Sequence, residues 1–192
     1  MRILIDDNSV VEKTADVLRE GGLVMHPTET CYGLAVDVFN EDALRKLYEA
    51  KGMPADKPVS ILVDGLEMAR EFGVFSNKAS ELAEKYWPGA LSILVPRTEK
   101  LPKFLNPGSE FVSMRISSME FCRDIVSKLG RPVSTTSANK FGEPELYFAE
   151  DIEGVDLLVD AGEIEKNKPS TIVKVEGEEV TVLREGGVFI GA

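Results

Sequence analysis

The sequence predicts an α/β fold, a twisted mixed sheet with flanking helices, formed by one domain over residues 1–192. Three observations predict it. Strand-like and helix-like runs alternate through the first two thirds of the chain. Strands then cluster towards its end, where Gly177 reads as a hairpin turn. No G-x-G-x-x-G or Walker glycine loop occurs, and the alternation is not that of a regular doubly wound sheet. A chain of 192 residues, with 43% apolar and 29% charged side chains, is long enough for one sizeable core and ordinary in composition. No repeat, low-complexity tract or linker marks a domain boundary.

Taken in order, Arg2–Ile5 reads as a strand. Ser9 is placed to cap a helix to Glu20, with Val10, Val11, Ala15, Val17 and Leu18 near helical spacing and Gly21-Gly22 as its stop. Leu23–His26 is a strand that enters the loop Pro27-Thr28-Glu29-Thr30-Cys31-Tyr32-Gly33-Leu34, and Ala35–Val38 is extended. Asn40 caps the next helix, with Ala43, Leu44, Leu47 and Tyr48 on one face and its end near Gly52. Val59–Val63 is a strand, and Leu66–Phe72 and Asn77–Tyr86 are helices, the second stopped by Trp87-Pro88-Gly89. Leu91–Val95 and Phe111–Ile116 are strands; in the latter Val112, Met114 and Ile116 face one way and Ser113, Arg115 and Ser117 the other. Met119–Leu129 is helical, and Pro132–Thr135 is a short strand running into a hydroxyl-rich turn, Ser134–Asn139. Asp156–Asp160, Thr171–Val175 and Val180–Leu183 are strands.

Charge and cysteine use narrow the function. A formal net charge of −11 disfavours non-specific nucleic-acid binding, although a local basic cleft remains compatible with it. No apolar run is long enough to span a bilayer, and the charged first twenty residues do not form a signal peptide, so the expected location is cytoplasmic, with no membrane partner. Cys31 and Cys122 make no disulfide framework and read as small buried thiols rather than nucleophiles; His26 is too near Cys31 in sequence to be an obvious base for it. One histidine and two distant cysteines argue against zinc.

The residues with chemistry to offer are hydroxyls and cations. The Pro27–Gly33 loop is built to hold hydroxyls in place, and with Ser134–Asn139 it points to a small-molecule site. Lys51, beside Gly52 and Pro54, is either a point charge for phosphate or a helix-terminal lysine complementing the macrodipole. Arg115 offers a two-pronged grip for a carboxylate or phosphate if its strand face lines a cavity, and nothing special if that face is solvated. Ser137-x-Asn139 follows a strand end, where α/β proteins often place ligand groups, yet a self-satisfied turn reads the same way. Ser170-Thr171 shares the ambiguity. Arg184, before Gly186-Gly187, binds an anion or pairs with Glu185.

Jointly, these segments resemble the YrdC-like family of threonylcarbamoyl-AMP synthases. The resemblance runs from about Gly22 to Gly187 and rests on Pro27–Leu34, Ala50-Lys51-Gly52, Lys57-Pro58, Trp87–Leu91, Ser113–Ile116, Ser134–Asn139 with Gly142, Ser170–Val173 and Leu183–Gly186. It implies a concave, locally basic cavity and the short, single-domain form of the family. It implies an enzyme that joins L-threonine, bicarbonate and ATP into threonylcarbamoyl-adenylate with release of pyrophosphate, with Mg²⁺ held mainly by the ATP phosphates. The tRNA-modification machinery, which places threonylcarbamoyladenosine beside the anticodon, would be the downstream acceptor. By resemblance, Thr30, Thr135 and Ser170 contact threonine and Arg115 pairs with its carboxylate. Lys51, Ser137 and Asn139 are the catalytic residues and, with Lys57 and Arg184, hold the nucleotide.

The chain departs from the family's lysine-x-arginine-proline pattern at Met53, and Lys57 is the cation nearest in sequence to compensate. The alternative function is a non-catalytic member of the fold that binds double-stranded RNA or tRNA weakly, a reading the missing arginine favours and the acidic balance opposes. A carbamoyl-transfer domain of hydrogenase maturation is a third possibility, but nothing in the chain supplies the acylphosphatase or zinc-finger-like portions that accompany it.

Overall fold

The computed structural model describes residues 1–54 and 56–191. Among these residues ten strands form one mixed sheet in the order β1-β8-β2-β3-β7-β4-β6-β5-β9-β10. In chain order these are β1 (Arg2–Leu4), β2 (Val24–His26), β3 (Gly33–Ala35), β4 (Ser60–Leu62), β5 (Leu91–Pro96), β6 (Phe111–Arg115), β7 (Val133–Ser137), β8 (Leu157–Asp160), β9 (Thr171–Glu176) and β10 (Glu179–Arg184). The helices are α1 (Val10–Arg19), α2 (Glu41–Lys51), α3 (Leu66–Phe72), α4 (Asn77–Tyr86) and α5 (Glu120–Leu129). Parallel pairs (β1–β8, β2–β8, β4–β6, β5–β9) mix with antiparallel ones, as the sequence predicted.

Alternation along the strands sorts side chains onto two faces. Leu23, Met25, Leu34, Ile61, Ile93, Met114 and Val173 enter the larger core, which α2, α3 and α4 close with Leu44, Leu47, Ala69, Phe72, Ala79 and Leu82. Val24, Ala35, Leu62, Leu157 and Val159 point the other way, into a smaller core closed by Leu18 of α1 and Phe121, Ile125 and Val126 of α5.

Local chemistry explains the boundaries. Asn40 accepts the Ala43 amide and Ser76 the Ala79 amide, each satisfying a donor at a helix start. Gly52 ends α2 in the left-handed region at φ 59°. Ser9 makes no such cap; its amide and hydroxyl turn back to the Asp7 carboxylate. β7 continues two residues beyond its expected end, because Thr136 and Ser137 pair with Leu34 and Gly33 of β3. The hydroxyl-rich segment is therefore mostly strand.

Candidate functional site

The second face of the sheet is covered by α1 and α5 over only part of its width. Beyond them, alternate residues of the central strands are polar. Ser60 of β4 lies opposite Thr135 of β7 and donates to the Ser113 hydroxyl of β6 at 2.8 Å. Ser92 of β5 pairs with Ile172 of β9. Arg115 sits beside Leu62, two positions along from Ser113. Ser60, Ser92, Arg115, Thr135 and Ile172 floor a cavity of about 220 Å³ whose wall is made by Thr28, Thr30, Cys31, Pro58, Ser137, Glu145, Ser170 and Arg184, among others.

The threonine loop is fixed from within. Thr28 Oγ1 donates to the Cys31 carbonyl at 2.7 Å and accepts the Thr30 amide at 3.1 Å. Its one proton is thereby committed, so across the 2.9 Å gap to Thr30 Oγ1 it accepts. Thr30 Oγ1 is left with lone pairs, one directed towards Arg115 Nη1 at 3.4 Å.

Arg115 is 4% exposed. Its Nη1 lies 3.1 Å from a Glu29 carboxylate oxygen, and the other Glu29 oxygen accepts from Ser117. Nε is buried with no hydrogen-bond partner, and Nη2 donates to no described residue. Unpaired N–H groups of a buried guanidinium thus border the cavity, charged donors of the kind a carboxylate pairs with.

Arg184 reaches the cavity through a bulge. The β9–β10 register shifts between Val182 and Arg184, so that Arg184, not Leu183, lies opposite Ile172 on the cavity side. Its Nε and Nη2 donate to the Ser170 carbonyl at 3.0 and 2.8 Å, and Nη2 also reaches the Ser170 hydroxyl at 3.0 Å. That hydroxyl meets Ser92 Oγ at 3.0 Å. Burial, then the like charge of Arg115, holds the Arg184 pKa below its ordinary value.

Six of the nine residues picked out in the sequence line this cavity: Thr30, Arg115, Thr135, Ser137, Ser170 and Arg184. Lys51 and Asn139 stand just behind it. Lys51, 3% exposed, donates through Nζ to the Ser137 carbonyl and, at 2.8 Å, to that of Asn139. Burial lowers its pKa to about 8. Asn139 Nδ2 donates to the carbonyls of Lys140 and Glu143, leaving its buried Oδ1 without a partner among the described residues. Lys57 is exposed and off the lining, and Met53 is half-buried against the larger core. Ala55, between them, lies outside the described residues.

Cys31 borders the cavity, but burial raises its thiol pKa; Cys122 is fully buried and pushed up to about 12. His26 lies 3.6 Å from Cys122 Sγ and is held near 4 by burial, so it is neutral at pH 7. Both thiols stay protonated, in keeping with two inert buried cysteines. Sequence reasoning missed Ser60, Ser92 and Glu145. The first two had a usable signal, a lone serine on the polar phase of a strand; Glu145, in an irregular segment, had none. Among the described residues no group of three or more His, Cys, Asp or Glu side chains could hold a metal ion, and the cavity's donors are hydroxyls and guanidiniums. No described helix is long and apolar enough to cross a membrane.

Known proteins share this fold. The family model Sua5_yciO_yrdC, described as telomere recombination, matches residues 16–186. A threonylcarbamoyl-AMP synthase of Pyrococcus abyssi is 32% identical over 98% of this chain and 58% of its own length. Its Bacillus subtilis counterpart is 31% identical over 93% and 54%. The chain thus spans little more than half of each. The crystal structure of P. abyssi Sua5 complexed with L-threonine superposes with a TM-score of 0.89 at 30% identity, over 97% of this chain and 57% of that one.

Proposed function

Since the chain belongs to the Sua5/YciO/YrdC family, we propose that it makes threonylcarbamoyl-AMP from L-threonine, bicarbonate and Mg-ATP, releasing pyrophosphate. The observation that carries this reading is the incompletely paired guanidinium of Arg115, buried at a hydroxyl-lined cavity that also holds the Arg184 guanidinium. A small hydroxylated amino acid suits the first; a phosphate chain suits the second. The naming of related proteins as threonylcarbamoyl-AMP synthases and the L-threonine complex of P. abyssi Sua5 support it.

In this reading Arg115 grips the substrate carboxylate while Glu29, itself held by the Ser117 hydroxyl, pairs with the guanidinium. Thr30 accepts from the substrate hydroxyl, with Thr135 and Ser170 beside it. The amine adds to CO₂ derived from bicarbonate, and an oxygen of the resulting carbamate attacks the α-phosphorus as pyrophosphate leaves. No protein nucleophile is needed; the site works by alignment and by neutralising phosphate charge. Ser137 and Arg184 face the nucleotide. Lys51 fixes the Ser137–Asn139 backbone and has one Nζ–H left for a phosphate. Mg²⁺ enters as part of the substrate, carried by the phosphates, because the donors lining the cavity are not a cation cage. The product would pass to the tRNA-modification machinery in the cytoplasm. With a net charge of −11, RNA binding as the main role has less support.

Incubation with threonine, bicarbonate and Mg-ATP should release pyrophosphate only when threonine is present. Release that ignores threonine, or none at saturating ATP, overturns the assignment. Arg115→Lys should raise KM for threonine about ten- to a hundredfold by losing one charge-assisted bond and the fork.

A further inference from the structure

An amino acid bound through Arg115 brings a second charge into the cavity, its ammonium, and an ammonium taken from water needs a counter-charge. Glu29 is the obvious carboxylate in sequence, but one of its oxygens faces Arg115 and the other accepts from Ser117. It does not line the cavity. Among the lining residues a single carboxylate remains, Glu145.

Its position is built rather than incidental. The next residue, Leu146, accepts the Tyr32 amide on its carbonyl at 2.8 Å, while the Tyr32 carbonyl accepts the Ala138 amide at 2.8 Å. The Glu145 segment is therefore laced to the threonine loop at the point where that loop adjoins the end of β7. Tyr147 extends the anchor by accepting the Ile164 amide on its carbonyl at 2.8 Å. The Glu145 side chain is half-buried and, among the described residues, makes no hydrogen bond or ion pair. Its charge nonetheless reaches both sides of the cavity, acting on Cys31 in the loop and on Arg184 of β10.

We propose that Glu145 receives the ammonium of the amino-acid substrate and makes the site select α-amino acids over hydroxy acids of the same shape. This rests on the synthase reading and adds a residue to it. Arg115 takes the carboxylate at one end, Thr30 the hydroxyl, and Glu145 the nitrogen, so that three points fix the carbon between them.

The test compares L-threonine with 3-hydroxybutyrate, which keeps the carboxylate and hydroxyl but lacks the amine, by calorimetric titration of the full chain. Wild type should favour threonine by about ten- to a hundredfold, the scale of one charge-assisted contact. Glu145→Gln should erase most of that preference by weakening threonine alone, with 3-hydroxybutyrate affinity unmoved and ATP affinity equal or tighter. Glu145→Asp, which keeps the charge, should retain part of it. A merely structural role would weaken both ligands together, and an unchanged thermal midpoint for each variant shows that the fold is intact. If Glu145→Gln binds threonine as wild type does, this assignment falls and the synthase reading stands. If wild type binds no threonine, both fall.

Discussion

Lys51 shows how one side chain serves two ends. Its burial at the close of α2 lowers its pKa to about 8, while its ammonium ties Ser137 and Asn139 together. If the remaining N–H meets a phosphate, KM for ATP should climb as pH passes through about 8 and the charge is lost. In Lys51→Met the same profile should be raised and flat. His26 gives a second pH signature. Its folded pKa of about 4 lies below the ordinary 6.5, so between those values the unfolded chain takes up a proton that the folded one refuses. Stability should therefore fall as pH drops from 6.5 towards 4, by on the order of 3 kcal/mol. Urea midpoints across that window measure it, and His26→Gln should flatten the slope. Part of the site is legible in the residue pattern. The phase of Ser113, Arg115 and Ser117 puts Arg115 on a polar strand face, and from there Arg115 lines the cavity. The inward turn of Lys51 is not legible, because a helix-terminal lysine has the same sequence signature whether it faces solvent or a strand end.

Elements meet the site through a few close contacts. Asn106, at φ 50°, returns both hydrogen bonds of Val59: Oδ1 accepts the Val59 amide and Nδ2 donates to its carbonyl, each at 2.9 Å. The side chain substitutes for a missing strand and fixes the cavity wall at Pro58 and Val59. Asn106→Ala leaves both buried groups unpaired and should cost on the order of 2–4 kcal/mol, read as a lower urea midpoint with a raised KM for ATP. Gly186 makes a tighter contact. A Cβ there would lie 2.1 Å from the Pro169 carbonyl oxygen and 2.6 Å from the Thr171 nitrogen. Gly186→Ala must displace the backbone that carries Ser170, so threonine affinity should drop even where the protein still folds. Most element positions are legible, since caps such as Asn40 and stops such as Gly52 act within a few residues. The end of β7 is not. Whether Thr136 and Ser137 are turn or strand depends on Gly33 and Leu34, about a hundred residues earlier, offering them partners.

For the molecule as a whole, one ladder of ten strands connects the first residues to β10, and cores lie on both faces of it. Such continuity predicts cooperative unfolding. The single tryptophan, Trp87, donates to the Leu91 carbonyl at 2.6 Å at the start of β5, so its fluorescence reports on the β6–β5–β9 part of the sheet. Fluorescence and far-UV circular dichroism should trace one coincident urea transition; separated midpoints would reveal two independently melting parts. The architecture is visible in the pattern of runs, whereas the strand order is not, because long-range pairing leaves little mark on local sequence.

Parity has a price on the last hairpin. Strict alternation from Val180 would aim residue 184 at the apolar side, and the one extra residue before it reverses that. Removing Leu183 would hand its place to the arginine only by erasing the kink that keeps the two strands in step, while inserting a single residue would send the guanidinium outward or into oil. Length drift between relatives should therefore collect at the Gly177 tip, where it leaves the orientation of Arg184 untouched.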